Sequence, residues 1–484
     1  MASVKQVVVV GGGISGLSSA FYVKKLFAEK RIPVNVTIVE KSGTIGGKIH
    51  TLRQDGFVIE KGPDSFLARK TPILDITREL GLEDELTATN PKGKQSYILH
   101  KGKLHPMPPG LVLGIPTEIG PFMKSGLISV AGKARAALDL LLPVRKGDAD
   151  ESLGDFIERR LGSEVLDHIA EPLLAGIYAG DTHRLSLQAT FPQFQEAERK
   201  YGSLIKGMMA NRKSAAAAAG LPEIAQKSVF LTYKNGLSTL VEALLDELND
   251  VRIVSGQGVQ AVVRNEEAAG GGDATGEGSD YSVVMENGEK LPADGVIAAL
   301  PAYALSKLFP GVPGVEALGS IRYVSVANVI MAFNREDVRH PLNGSGFVIP
   351  RKEGRFITAC TWTSSKWLHT APQGKVLLRC YVGRTGEEER LLYADGELVD
   401  KVRKDIGELH GINAKPLFAE VTRLNDSMPQ YPVGHLDTIA GVRKQVESQM
   451  PHVKLTGAAF RGVGIPDCVR QSKEAALELC RLFA

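Results

Sequence analysis

Six residues near the start of the chain carry the first sign of chemistry. Gly11-Gly12-Gly13-Ile14-Ser15-Gly16 fits a GxGxxG turn, a spacing that lets backbone approach a pyrophosphate and sets its charge against the amides opening a helix. Glu40 follows the last glycine by 24 positions, close to the offset at which a carboxylate grips ribose hydroxyls. A glycine turn alone is also ordinary structural punctuation, but with the acid at this spacing a dinucleotide site is the stronger reading. The elements needed to hold these groups are legible as well. Val7 to Val10 is a continuous β-branched run suited to a strand buried on both faces, and Val34, Val36 and Ile38 supply a second strand. Between them Ile14 to Lys30 carries Leu17, Ala20, Val23 and Phe27 on roughly one helical face, which predicts a βαβ crossover.

Three more segments have glycine-bearing turns. Gly43-Thr44-Ile45-Gly46-Gly47-Lys48 is a GxxGG turn directly after the acid, and Gly56 to Phe66 reads as a strand and a turn around Gly62-Pro63-Asp64-Ser65. Thr456 to Cys468 reads as a turn feeding a last helix, whose positive dipole end favours nearby negative charge. All three resemble signatures of the FAD-dependent amine oxidase and protoporphyrinogen oxidase superfamily. The resemblance selects FAD over NAD, held non-covalently. It implies that Gly47 and Lys48 face the cofactor, Lys48 standing where many members have Arg and so acting as a point charge rather than a fork. It also puts Gly62, Pro63, Asp64 and Ser65 under the flavin, and Ala458, Val463, Gly464 and Ile465 near its N1 and O2 edge. Lys41 beside Glu40, and Val259 at the start of a later strand, complete the implied cofactor set.

Phe66-Leu67-Ala68-Arg69-Lys70, Glu171 to Asp181, Thr190-Phe191-Pro192 and Ser427-Met428-Pro429-Gln430-Tyr431 are similar to segments of the porphyrinogen oxidases within that superfamily. The soluble Gram-positive type, which oxidises coproporphyrinogen III to coproporphyrin III in heme biosynthesis, is the nearest match. One departure stands out: the family often has Trp in a Thr-Arg-Trp segment where this chain has Thr422-Arg423-Leu424, so stacking on the cofactor from that position is in doubt. The implied chemistry is a six-electron oxidation in three rounds. Hydride leaves a bridging carbon of the porphyrinogen for flavin N5, and dioxygen then reoxidises the flavin to give peroxide. The cofactor does the hard step and the protein orients it. Lys70 is the protein group expected in the substrate site, holding a propionate or steering charge, with a solvated lysine opening the next helix as the plainer reading.

Composition bounds the alternatives. A length of 484 residues calls for two or three compact units, and 43% hydrophobic with 23% charged residues is globular. A net charge of +3 gives no basic excess of the kind that binds nucleic acid. Cys360, Cys380, Cys468 and Cys480 lack CxxC spacing, against zinc or a disulfide framework, so no metal is expected and a reducing cytoplasm fits. The N-terminus has no secretory leader pattern and no run approaches a bilayer span. Peripheral membrane contact stays open, with Lys133 and Arg135 in Gly126 to Leu142 read as snorkelling cations on a core helix or as a lipid-facing surface. Transient contact with other heme-pathway enzymes is also left open.

The expected fold is α/β: a Rossmann-type FAD-binding domain from residues 1–75, 225–300 and 417–484, a helical subdomain at 76–224 and a mixed-sheet substrate domain at 301–416. Protoporphyrinogen IX oxidase is the alternative activity, then a flavin amine oxidase or desaturase on the same fold, and outside catalysis a carrier that keeps only the dinucleotide fold. Arg69, Lys70, His183, Arg184 and Lys366 are the cations among which substrate carboxylate partners are sought.

Overall fold

The computed structural model describes residues 3–215, 221–265 and 279–484. The chain opens with strand β1 (Lys5–Val10), helix α1 (Ile14–Glu29) and strand β2 (Val34–Glu40). β1 is the middle of a five-stranded parallel sheet, in the order Arg252–Ser255, β2, β1, Gly295–Ala298, Val453–Leu455. Val7 and Val9 pack on one face against Leu17 and Val23 of α1 and Val469 and Leu479 of the closing helix Ile465–Phe483. Val8 and Val10 pack on the other face with Leu305 and Ile439. Both faces are therefore covered, which is why this strand is a run of valines rather than an alternation. Full burial of each such side chain contributes about 1.5–3 kcal/mol. The strand order reverses at β1, and in open α/β sheets ligands bind outside the carboxyl ends of the strands at such a switch point.

A second sheet has seven strands, in the order Phe418–Pro429, Tyr323–Asn334, Lys375–Val382, Ile357–Thr361, Gly346–Val348, Ser96–His100, Lys103–Pro106. All its pairs are antiparallel except Gly346–Val348 with Ser96–His100. The second to fifth strands in this order all lie within residues 301–416. The outer three cross the expected boundaries: Phe418–Pro429 pairs along Tyr323–Asn334 rather than joining the dinucleotide unit, and Ser96–Pro106 leaves the helical unit. Edge strands carry weaker hydrophobic alternation because only part of each is covered.

The helices Val130–Ala137, Leu153–Leu161, Glu171–Tyr178, Pro192–Tyr201 and Leu204–Ala215 form a third layer, packed around Phe156, Ile157, Phe191, Phe194 and Leu204. Arg135 is not a snorkelling cation. Its guanidinium donates to the carbonyls of Glu158 (3.0 Å), Arg159 (2.9 Å) and Arg160 (3.3 Å), capping the end of Leu153–Leu161 and sharing the Glu158 carbonyl with the Gly162 amide. The Gly-, Ala- and acid-rich stretch Glu266 to Asp280, whose sequence reads as a solvated hairpin loop, lies mostly outside the described residues, while its flanking strands Val259–Arg264 and Tyr281–Met285 pair antiparallel. The alanine run Ala215 to Ala219 likewise falls outside them after Ala215. Among the described residues no helix is long and apolar enough to cross a membrane.

Candidate functional site

At the carboxyl end of β1 the backbone turns in a way only glycine permits. Gly11 sits at φ +109°, and a Cβ there would lie 2.6 Å from the Ala299 carbonyl oxygen. A Cβ on Gly16 would lie 1.7 Å from the Gly11 carbonyl oxygen, so the first turn of α1 is pressed directly onto the loop. Gly13 caps α1 without any side-chain hydrogen bond, and no acidic residue stands in its first turn. The opening amides and the positive end of the helix dipole are thus left for an outside anion. Glu40, at the end of β2, accepts from the Gly12 amide (2.6 Å) and the Ser42 amide (2.8 Å), which fixes its carboxylate beside the loop. The GxxGG turn packs on the same loop, with the Gly46 amide donating to the Gly12 carbonyl at 2.9 Å. A glycine cradle with uncapped amides and a neighbouring carboxylate fits the pyrophosphate and ribose of a dinucleotide.

Val259 follows residues whose amides reach the same corner, Gly256 to the Ser42 carbonyl (2.9 Å) and Gln257 to the Glu40 carbonyl (3.2 Å). Lys41 points elsewhere, exposed and ion-paired with Glu286 at 2.8 Å. Lys48 donates to the Ser427 carbonyl at 2.5 Å. Its side chain is exposed at the surface yet closely flanked by protein, and the desolvation lowers its pKa.

The turn Lys61 to Ser65 lies next to Lys48: a Cβ on Gly62 would be 1.7 Å from the Lys48 carbonyl oxygen. Asp64 accepts from Lys366 (3.1 Å) and Ser65 (2.7 Å). Burial alone would raise its pKa, but Lys366 and then Arg379 outweigh burial and hold the carboxyl well below the usual range. Glu60 behaves oppositely. Although the Leu237 amide (2.6 Å) and the Thr51 hydroxyl (2.9 Å) donate to it, burial pushes its pKa up to about 7 from an ordinary 4.5. The folded protein therefore binds this proton more tightly than the unfolded chain does. Stability from this group is full below pH 4.5 and declines as pH rises toward 7, by roughly 3 kcal/mol in all. Glu60→Gln is expected to flatten that part of the stability profile; denaturant midpoints measured from pH 4.5 to 8 that decline equally in both proteins would refute it.

The closing segment meets the first. The Ser472 hydroxyl donates to the Ser15 carbonyl at 2.7 Å, joining the last helix to the start of α1. Tyr431 clamps the turn above it, donating to the Ala458 carbonyl (2.5 Å) and accepting from the Gly462 amide (3.1 Å), while its ring stacks on His435 at 4.1 Å. Gln430 donates to the Tyr178 carbonyl at 2.8 Å, and the Tyr178 ring lies 5.6 Å from that of Tyr431. Val463 packs toward the helical layer, and Ile465 is buried beneath the dinucleotide sheet. Lys70, capping the helix Thr71–Glu79, is paired with Asp467 in the first turn of the closing helix at 2.5 Å. The dipole end expected to face the flavin therefore carries an ammonium–carboxylate pair.

Of the other cations considered, Lys366 is bound to Asp64. His183 is exposed and paired with Asp155 at 2.8 Å, and Arg69 and Arg184 are exposed. Sequence reading overlooked Arg379 and Asn328, which reach the turn at Gly62 and Lys61. An arginine inside the apolar run Val376 to Val382 was the available signal, since charge in a buried strand needs a use.

The chain is similar to known proteins over nearly its whole length. A family profile described as flavin containing amine oxidoreductase matches residues 14–480. A Bacillus subtilis protein named coproporphyrinogen III oxidase is 45% identical over 482 residues, covering 99% of this chain and 99% of that protein. A Staphylococcus aureus protein of the same name is 40% identical over 478 residues, covering 98% and 99%. Among solved structures, that of a candidate protoporphyrinogen oxidase from Exiguobacterium sp. 255-15 matches with a TM-score of 0.85 at 34% identity, covering 100% of both chains.

Proposed function

This chain belongs to the flavin-containing amine oxidoreductase family, and from that premise we propose that it oxidises coproporphyrinogen III to coproporphyrin III in heme biosynthesis. The observation that carries the proposal is its end-to-end likeness to proteins bearing that name. The glycine cradle at both chain ends supplies the matching cofactor site. FAD held there without a covalent link would supply the two-electron oxidation that three rounds of the reaction need, with dioxygen as the final acceptor and peroxide as its product. The protein's part is positional. Gly11 to Gly16 and Glu40 hold the dinucleotide, Gly62 to Ser65 offer backbone to the ring system, and Tyr431 keeps the closing turn in place.

Lys70 is the group assigned to the substrate. Asp467 holds its ammonium in the seam between the closing helix and the start of Thr71–Glu79, where an incoming propionate would add a second carboxylate partner to the three-donor ammonium. A charge-assisted hydrogen bond of this kind contributes about 1.5–3 kcal/mol. Lys70→Met is therefore expected to raise KM ten- to hundredfold with flavin binding intact, and unchanged turnover and affinity would remove the assignment. Peripheral lipid contact through Val130 and Leu141, each 83% exposed, belongs to the same reading.

The test of substrate is direct. Anaerobic coproporphyrinogen should bleach the yellow protein, and air should restore the colour while porphyrin fluorescence and peroxide appear. Faster turnover of protoporphyrinogen IX would favour the alternative activity, and a response to primary amines alone would favour an amine oxidase.

A further inference from the structure

We infer that Arg379 is a positioning residue for the flavin, holding the turn Lys61 to Ser65 from behind and supplying a fixed positive charge that favours the reduced cofactor. The inference rests on the proposal that this turn faces the flavin. Arg379 is 5% exposed in the middle of Lys375–Val382, where it is the sole charged residue among Val376, Leu377, Leu378, Cys380, Tyr381 and Val382. Burying a guanidinium costs several kcal/mol unless its donors are used. One nitrogen, Nη2, donates to the Gly62 carbonyl. Nε and Nη1 have no partner among the described residues.

The guanidinium borders a cavity of about 20 Å³ shared with Glu60, Asp64, Trp367 and His369, enough for one or two waters to serve the free donors. The Tyr381 ring, 5.1 Å away, supports it. Arg379 does not act alone on the turn. Asn328 donates to the Lys61 carbonyl at 3.0 Å and Lys366 to the Asp64 carboxylate at 3.1 Å. Three side chains of the seven-stranded sheet and its flank thus grip residues 61, 62 and 64. Around this cavity Arg379, with Lys366 bound to Asp64, opposes the carboxyl groups of Asp64 and Glu60, while Lys61 on the turn itself is paired with Glu420 at 3.5 Å and His369 is kept neutral because burial lowers its pKa to about 4.

A brace and a charge make different predictions. Electrons entering the flavin bring negative charge, which a nearby guanidinium stabilises and a nearby carboxylate opposes. In holoenzyme titrated anaerobically against a reference dye, Arg379→Met should shift the reduced-to-oxidised equilibrium about tenfold toward oxidised flavin, about 30 mV for a two-electron couple. Asp64→Asn should shift it toward reduced flavin, and Arg379→Lys should stay within about threefold of the parent. Should Arg379→Met fail to fold, Lys366→Met removes a charge from the same turn and should move the potential in the same direction. Potentials that do not move, or that move the same way for the Arg379 and Asp64 variants while flavin stays bound, overturn the assignment. Parent protein that takes up no flavin overturns the proposed function instead.

Discussion

Gly16→Ala is expected to give protein that no longer retains flavin. The added methyl would meet the Gly11 carbonyl oxygen at 1.7 Å and its carbon at 2.8 Å, and neither can swing aside as a side chain would. Gly11 cannot yield either, because a Cβ at that position would already be 2.6 Å from Ala299, so the loop is wedged between the neighbouring strand and α1. Overpacking against side chains costs about 1–3 kcal/mol, and backbone against backbone lies at or beyond the top of that range. Relief comes only by unwinding the first turn of α1, which removes the amides aimed at the pyrophosphate. At 1.4 kcal/mol per tenfold a loss of at least a hundredfold in flavin affinity is expected, read by fluorescence titration of apoprotein. Gly43→Ala is the control, since nothing lies within 4 Å of its would-be Cβ. A yellow Gly16→Ala protein with affinity within threefold of the parent would refute the cradle.

The cradle was legible because everything that specifies it is local. A valine run, a glycine spacing, a helical stripe and an acid lie within forty residues, and the hydrogen bonds that join them, Gly12 to Glu40 and Gly46 to Gly12, stay inside that stretch. The sheet around them was legible as segments but not as an order: nothing in Arg252–Ser255 announces that it lies beside β2, a pairing settled by which faces the helices cover. Phe418–Pro429 was harder still. Its residues are mostly half-buried, it sits at a sheet edge, and its register slips opposite Val324 to Val326, so neither a buried run nor a clean alternation appears.

The site shows the same division. Lys70 was visible as a basic residue in a suggestive segment, but its partner Asp467 is 397 positions away. Lys366 looked like any other cation until Asp64 was found against it. Arg379 is the instructive case. An arginine flanked by Leu378 and Cys380 violates the pattern of a buried strand, and such violations mark places where function or a distant partner overrides local preference. Tyr431 stands out in the sequence only through a resemblance, and its clamp on Ala458 and Gly462 depends on the closing turn, which only the folded chain brings near.

Asp139→Leu is expected to lower the stability of the helical layer by about 3–5 kcal/mol. Asp139 and Arg160 are both fully buried, joined at 2.5 Å through the Arg160 Nε. The carboxylate also accepts from the Ser203 hydroxyl (2.5 Å) and the Leu204 (3.2 Å) and Ile205 (2.9 Å) amides. Arg160 in turn donates to the carbonyls of Asp139 (2.6 Å) and Gly202 (3.0 Å) and to Glu198 (3.2 Å). This one pair therefore ties the end of the segment after Val130–Ala137 to Leu153–Leu161 and to the junction before Leu204–Ala215. Removing Asp139 leaves a guanidinium in the core with Glu198 its only remaining carboxylate among the described residues, and strips an acceptor from two backbone amides. Replacing both partners with apolar residues, Asp139→Leu with Arg160→Met, removes the unpaired charge and should recover part of the loss. The dinucleotide cradle draws nothing from this cluster, so the single variant should keep its yellow colour while unfolding at lower denaturant and losing turnover, since the segment Glu171 to Asp181 that resembles porphyrinogen oxidases is packed in the same layer. Equal denaturant midpoints for the parent and Asp139→Leu would show that the pair does not hold the layer together. Loss of colour in step with loss of helix would show that the two units melt as one.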